Sequence, residues 1–434
     1  MNLYSTGYCL TKNMSKRRRI NPTTIFDPVH REYELGPEIV DIINTKIFQR
    51  LRRLRQLGTA HWVWLGATHT RFEHSISVAY LAGLLAQNLQ SQQAELNITN
   101  RQIVLVQMAG LLHDVGHGPF SHLFDDVFLK DTHSKMAHHE QRSVALVGRL
   151  LKESENEYST EEIAFVQAMI SPKQGQKSFF YDIVANMDSH LDVDKLEYIK
   201  RDARACGLSQ GGFDTDTMRI INAARVINDR ICYHQKVYED IYNVFQTRYR
   251  LHTTVYRHPA VVAIHYMVSD ALRLSGLPLQ NSIHDLDSFC RYDDTILDLI
   301  RHSQDPDKQA AQAIIQRIDE RQLYKVVETC KRSKGWQRKP TVKDIVALEA
   351  ELHENDIILD YSCVGFIGQA DGHPMDHLRF YDSTNAKKSF VIKRQSVSTL
   401  LTARYCEYWT RVIVRDAEKM TLAEKAWKTW LATI

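Results

Sequence analysis

Residues 111–122, LLHDVGHGPFSH, end an apolar helical run by presenting His113, Asp114, His117 and His122 in quick succession. Placing an imidazole beside a carboxylate at the end of a buried helix is costly unless a partner offsets the lost hydration. A divalent transition metal is such a partner, because imidazole and carboxylate are both good ligands and the ion's charge offsets the desolvated carboxylate. A lone His-Asp dipeptide carries little weight, since chance supplies many. Two further segments add to it: Arg71-Phe-Glu-His74-Ser75 upstream and Asp192-Val-Asp194-Lys195 downstream, each polar within apolar surroundings. Taken singly, His74 reads as a core histidine with a satisfied hydrogen bond, and Asp114 or Asp194 as a cap or ion-pair partner. Together His74, His113, Asp114 and Asp194 make a candidate metal-ligand set.

Arg71, His117, His122, His139, Lys195, Tyr198, Arg201, Asp202 and Arg248 cluster around these ligands, mixing phosphate-binding cations with proton donors. A polyphosphate ester is the substrate class this suits. A metal would lower the pKa of a bound water toward roughly 7 and polarise a phosphoryl oxygen, while Arg and Lys neutralise developing charge. A histidine would protonate the leaving oxygen.

The chain of 434 residues, 44% hydrophobic, is long enough for a large core with a smaller appendage. No apolar run approaches the roughly 20 residues of a membrane span, and the start lacks the apolar stretch of a signal peptide, so a cytoplasmic protein without membrane contact is expected. The seven cysteines (Cys9, Cys206, Cys232, Cys290, Cys330, Cys363 and Cys406) are scattered without a CxxC pair and read as buried thiols. A net charge of +3 does not by itself demand a polyanionic partner.

Residues 1–22 read as a flexible arm with the basic run Lys16, Arg17, Arg18 and Arg19, a solvated run before it is a nuclear address. Residues 37–57 predict a basic amphipathic helix, with Ile39, Ile42, Ile43, Ile47, Phe48, Leu51 and Leu54 facing a core and Lys46, Arg50, Arg52, Arg53 and Arg55 facing away. Further helices are predicted over 75–90, from an Asn100 cap to near Gly116, and from a Ser159 and Glu162 capping box to before Pro172. Helical periodicity continues over 180–275, broken by a turn at Gly211 and Gly212. A mainly α fold follows, with an all-helical body over 23–335. Residues 336–434 predict a small mixed α/β lobe with β-like runs at 357–365, 378–382 and 389–392, closed by a helix over 417–432.

The segments FDPVHREYEL, FQRLRRLRQLG, GATHTRFEHS, AGLLHDVGHGPFSH, HHEQRS, DVDKLEYIKRD and QTRYRLH occur in order from about Phe26 onward. In them the chain closely resembles the HD-domain deoxynucleoside triphosphate triphosphohydrolases, above all the mammalian SAM-and-HD-domain enzymes, without the SAM domain. The resemblance implies a helical HD fold and hydrolysis of dNTPs at the α-phosphate to deoxynucleoside and tripolyphosphate. It places the metal ligands on His74, His113, Asp114 and Asp194, residue types whose chemistry suits Fe, Mn, Zn or Ni, alone or together with Mg. It places catalytic histidines on His117 and His122, with Asp125 as carboxylate partner and His139 near the phosphates. Arg71, Lys195, Tyr198 and Arg248 match triphosphate contacts, Gln56 and Asp202 the 3′-hydroxyl contacts, and Leu57 and Tyr256 the residues that exclude a 2′-hydroxyl. At the base, His252 is retained and Arg257 stands where the mammalian enzymes have Gln.

The family's activating nucleotide sites are only partly matched. Gln49 and Arg52 match one, but Asn44 replaces an Asp and Thr23 a Lys. Arg219, Lys236 and His258 match the other, whereas His234, Pro259, Phe26 and Val391 replace an Arg, a Lys, an Asn and an Arg. An enzyme with no nucleotide activator or a different one is expected, as a homo-oligomer, dimer or tetramer, that does not depend on bridging nucleotides. Other readings are a nucleotidase or phosphodiesterase with the same ligands, and weak single-stranded nucleic-acid binding through the basic arm and the basic helix.

Overall fold

The computed structural model describes residues 22–173, 175–208, 216–332, 334–365, 373–393 and 406–433. The basic run at 16–19 and the Gly211 and Gly212 turn lie outside these residues. The described chain opens with an antiparallel hairpin of β1 (Thr23–Asp27) and β2 (Arg31–Leu35). Asp27 Oδ1 closes its turn by accepting from Val29 N and His30 N, each at 2.7 Å.

The helix predicted over 37–57 is instead two short helices, α1 (Pro37–Ile43) and α2 (Lys46–Gln49), followed by a 3-10 turn at Arg50–Arg53. Thr45 is the cause: its hydroxyl donates to Ile42 O at 2.8 Å, ending α1, and accepts from Phe48 N at 3.3 Å, starting α2. The cations therefore share no common face. Lys46, Arg52 and Arg53 are exposed, but Arg50 is only 1% exposed and donates to Tyr292 O at 2.9 Å and His117 O at 2.8 Å.

Helix α3 (Arg71–Gln92) begins earlier than its apolar pattern, because Thr70 and Glu73 form a capping box. Its buried residues surround it on nearly every side, so it runs through the centre of the domain. Helix α4 (Asn100–Leu112) packs along α3 and starts from a Thr99 and Gln102 box, one residue before the expected cap. Helix α5 (His139–Glu153) packs on α6 (Thr160–Ile170), which is capped by Ser159 and Glu162 as the spacing predicts and itself packs on α4.

After the short α7 (Tyr181–Val184), α8 (Val193–Ala205) returns to α3, with Asp192 as its N-cap accepting from Lys195 N at 2.9 Å. The short α9 (Thr217–Asn222) leads into a hairpin of β3 (Ala224–Ile227) and β4 (Arg230–His234). That hairpin corrects the all-helical reading of the body. Its turn is Asn228 and Asp229, both left-handed at φ 53° and 57°, a conformation these residues tolerate. Helices α10 (Tyr238–Leu251) and α11 (Pro259–Leu274) complete the helical body.

The C-terminal sheet joins β5 (Lys325–Arg332), β6 (Ile357–Gly365) and, beyond β7 (Phe380–Tyr381), the central strand β8 (Cys406–Val414). It packs on the helix Met420–Leu431 through Trp427 and Trp430. The strand expected over 378–382 shrinks to β7, which pairs in parallel with β4 rather than with this sheet. The run 389–392 contributes a single bridge, Phe390 to Phe380. Strands β5 and β8 were not expected: KVVETCKR is an edge strand with charged ends, which reads as loop. The fold is mainly α, as expected from the sequence. Among the described residues, no helix is long and apolar enough to cross a membrane.

Candidate metal centre and active site

The start of α3, the end of α4 and the first turn of α8 converge on one point. His74 Nε2 lies 3.3 Å from His113 Nε2, 3.2 Å from Asp194 Oδ1 and 3.4 Å from Asp114 Oδ2. His113 Nε2 lies 3.4 Å from Asp194 Oδ1 and 3.4 Å from Asp114 Oδ1. The opposite ring nitrogens are tied back: His74 Nδ1 donates to Glu197 Oε2 at 2.5 Å, and His113 Nδ1 to Gly110 O at 2.8 Å. Those bonds assign the proton to Nδ1 and leave both Nε2 lone pairs aimed at the carboxylates. Bonds of about 2.0–2.2 Å to one ion separate neighbouring ligands by about 3–3.5 Å, so this donor set fits a divalent metal.

Glu197 is fully buried and accepts from Arg201 Nε at 2.6 Å. Arg201 Nη2 in turn donates to Asp27 Oδ2 at 2.8 Å and Ser77 Oγ at 2.9 Å. Arg201, grouped by the sequence with phosphate-binding cations, is thus turned into the interior behind His74. Glu197 was missed, although it stands three residues after Asp194 on the same face of α8.

On the other side of the ligands, Arg71 pairs with Asp114 and its Nε donates to Ser121 Oγ at 2.9 Å. His117 Nε2 is 3.3 Å from Asp114 Oδ1, and its ring stacks on His139 with centroids 3.8 Å apart. His122 meets both rings edge-on, at 5.2 Å and 5.4 Å. Asp125, in the π-helical turn Phe124–Phe128, serves His139 rather than His117 or His122. Its Oδ2 accepts from His139 Nδ1 at 2.9 Å and His139 N at 2.8 Å, and its other oxygen pairs with Arg142. The side chain of His122 is 63% exposed, 4.0 Å from Asp126. Burial, Arg71 and His139 hold the pKa of His117 well below the ordinary histidine value. Burial also opposes the charged form of His139, but the Asp125 hydrogen bond and Glu140 outweigh it and raise its pKa. A neutral imidazole therefore stacks on one that favours the cation.

Beyond these, Lys195 Nζ lies 3.2 Å from Asp192 Oδ2. Arg248 donates from Nε to Tyr198 OH at 3.1 Å and from Nη1 to Gly365 O at 2.7 Å. Tyr256 OH donates to Asp202 Oδ2 at 2.6 Å, while His69 Nε2 meets Asp202 Oδ1 at 2.7 Å, a partner the sequence did not single out. His252 sits edge-on to Tyr256 at 4.9 Å; desolvation, Arg248 and Arg257 hold its pKa well below the ordinary value. Buried Gln56 has an Oε1 without a hydrogen-bond partner among the described residues, and Leu57 beside it packs partly buried on the core. Arg257 Nη1 is 3.4 Å from both oxygens of Asp360.

The residues matched to activator sites fall in separate groups. Asn44 is the exposed C-cap of α1, close in sequence to Gln49, whose Nε2 donates to Ile43 O at 2.7 Å; Arg52 Nε donates to Gln49 Oε1 at 2.8 Å. Arg219 Nη2 donates to Lys236 O at 3.2 Å and its Nε pairs with Asp240 at 3.2 Å. His258 caps α11, Pro259 opens that helix, and Thr23 and Phe26 lie on β1, Phe26 being 79% exposed. His234, at the end of β4, meets Ser383 Oγ at 3.0 Å, and Val391 is 37% exposed.

Residues 71–187 match the HD domain and residues 215–364 the HD associated region, so fold and site together define an HD-domain protein. Similarity extends over nearly the whole chain to proteins named deoxynucleoside triphosphate triphosphohydrolase SAMHD1. It is 34% identical to the Dictyostelium discoideum homolog over 94% of this chain and 80% of that protein. It is 34% identical to the Bos taurus protein, over 92% and 76% respectively, and 33% identical to the Homo sapiens protein, over 94% and 73%. The chain belongs to the SAMHD1 family of deoxynucleoside triphosphate triphosphohydrolases.

Two outcomes are expected from the site's electrostatics. Glu197→Gln weakens divalent-metal affinity by about 10–100-fold with helix content unchanged, measured by titration calorimetry and by metal content after dialysis. Asp125→Asn removes the charge that favours the His139 cation, so the ring's pKa falls, as read by NMR titration of the histidines.

Proposed function

We propose that this protein is a metal-dependent hydrolase that cleaves dNTPs at the α-phosphate into deoxynucleoside and tripolyphosphate, and thereby lowers dNTP pools. The observation that carries the reading is the convergence of His74, His113, Asp114 and Asp194 within 3.2–3.4 Å contacts, with Arg71 paired directly to one of them. Its support is the family, whose named members are dNTP triphosphohydrolases. Fe, Mn, Zn or Ni at those four residues, alone or with Mg, would supply Lewis acidity toward the phosphoryl oxygen and a more acidic water.

The side chains do the rest. Arg71, Lys195 and Arg248 neutralise the triphosphate, with Tyr198 holding Arg248 in place. His139, favoured as a cation by Asp125, faces the phosphates beside neutral His117. His122, at the exposed edge of this histidine cluster, gives its proton to the departing sugar oxygen. Asp202 accepts the proton of the 3′-hydroxyl, the side-chain amide NH2 of Gln56 donates to the oxygen of the same group, and Leu57 and Tyr256 exclude a 2′-hydroxyl by shape. Base choice at His252 and Arg257 is permissive.

Regulation departs from the mammalian pattern. Thr23, Asn44, His234 and Pro259 remove charges that would bind an activator's phosphates or read its base, so turnover needs no GTP, and the homo-oligomer, dimer or tetramer, forms without bridging nucleotides. The exposed Lys46, Arg52 and Arg53 supply at most weak contacts to single-stranded nucleic acid.

Incubation with each dNTP and NTP, across metals and with or without GTP, tests the reading by its products. Deoxynucleoside with tripolyphosphate supports it; a nucleoside monophosphate or stepwise phosphate release overturns it, and strict GTP dependence overturns the regulatory part. Asp114→Asn is expected to abolish hydrolysis while the circular dichroism spectrum stays that of the wild type, since the amide keeps the carboxylate's shape, and to lower Tm because buried Arg71 loses its charged partner.

A further inference from the structure

Asp294 lies far along the chain from the two loops beside the nucleotide site, yet it binds both. Its Oδ2 accepts from Arg55 N at 2.8 Å, immediately before Gln56 and Leu57. Its Oδ1 accepts from Phe120 N at 2.6 Å, two residues before His122. The backbone of Asp294 reinforces the first link by donating to Arg53 O at 3.1 Å, and Asp293 pairs with the Arg53 side chain at 2.6 Å.

The two loops also touch directly. Ser121 Oγ donates to Arg55 O at 2.7 Å while accepting from Arg71 Nε at 2.9 Å. At Gly58, left-handed at φ +52°, a Cβ would lie 2.6 Å from Phe120 O, so no larger residue fits between the loops. Phe120 and Ser121 are themselves left-handed, both at φ +59°. Consecutive non-glycine residues in that region persist only where outside bonds hold them. The Asp294 bond to Phe120 N is one such bond. Burial raises the Asp294 pKa to about 7 even though the two N–H groups pull it down, a cost that a space-filling side chain would not carry.

We propose that Asp294 is a positioning residue, fixing the loop of Gln56 and Leu57 against the turn that carries His122, and that it thereby sets both turnover and the discrimination between deoxyribose and ribose. The inference rests on the dNTP reading of the site. Exclusion of a 2′-hydroxyl by Leu57 is a matter of shape, and shape discriminates only while its wall is held. Proton delivery by His122 likewise depends on where the turn places its ring. An amide at position 294 has one acceptor oxygen and an NH2 group, so it can satisfy only one of the two backbone N–H groups and must release the other loop.

The test measures kcat/KM for dATP and ATP in the wild type, Asp294→Asn, Asp294→Glu and Asp293→Asn, with metal content and Tm for each. Asp294→Asn is expected to lower kcat on dATP by about 10–100-fold and the dATP over ATP ratio by about 10-fold, with metal content unchanged. Asp293→Asn, which loses only the Arg53 pair, should keep the ratio. Asp294→Glu retains two acceptors on a longer arm and is expected to fall between; it carries the comparison if the Asn variant does not fold. A lower Tm and kcat with an unchanged ratio in the Asp294 variants would mean a purely structural role and overturn the proposal. So would full activity. A wild type inactive on dATP would instead overturn the dNTP reading itself.

Discussion

The hydrogen bond from His74 Nδ1 to Glu197 is the constraint on which the rest of the site depends. It fixes the tautomer and the ring plane of the histidine at the centre of the ligand set. A carboxylate with no solvent exposure cannot hold that position alone. Arg201 neutralises it at 2.6 Å, and Asp27 balances Arg201 at 2.8 Å. The chain of alternating charge ends in the turn of the β1 and β2 hairpin, where the other oxygen of Asp27 is occupied by backbone N–H groups. Breaking one member of such a buried pair costs about 3–5 kcal/mol, most of it from the charge left behind.

Packing then brings the remaining groups to this frame. Gly116 allows α5 to approach closely: a Cβ there would lie 2.3 Å from Ser143 N and 2.4 Å from His139 O. Gly116 N donates to Ser143 Oγ at 2.9 Å, and Gly116 O accepts from Arg142 Nε at 2.8 Å. The same contact carries His139 onto His117 and places Arg142 against Asp125. A small residue between two histidines of the motif thus decides where a third one stands.

The convergence of the candidate ligands His74, His113, Asp114 and Asp194 was legible because each is a polar residue in an apolar run, and such residues need a shared reason for burial. The cap at Ser159 and the strand β6 were legible because their signals are local. What was not legible depends on tertiary contacts. Arg201 looks like any surface cation until Glu197 and Asp27 are brought beside it. Arg50 lies in phase with exposed arginines, and only the break at Thr45 turns it inward. His69 and Asp294 act through groups more than a hundred positions away in sequence. The hairpin of β3 and β4 had a readable signal in Asn228 and Asp229, but the helical pattern on either side outweighed it.

Arg248 takes its final position from Gly365 O at the end of β6, while the ligand at the other extreme of the centre is His74. The polar groups of the site are therefore drawn from chain segments made early and late in synthesis. A nascent chain that has just released α4 already carries His74, His113 and Asp114, but Asp194, Glu197 and Arg201 are still to come. Until α8 emerges, His74 lacks the Glu197 carboxylate that orients it, whereas His113 already has Gly110 O, and until β6 emerges Arg248 has no carbonyl to hold it. The converging residues are thus complete once α8 has emerged, and a chain cut short upstream of β6 lacks the carbonyl that holds Arg248.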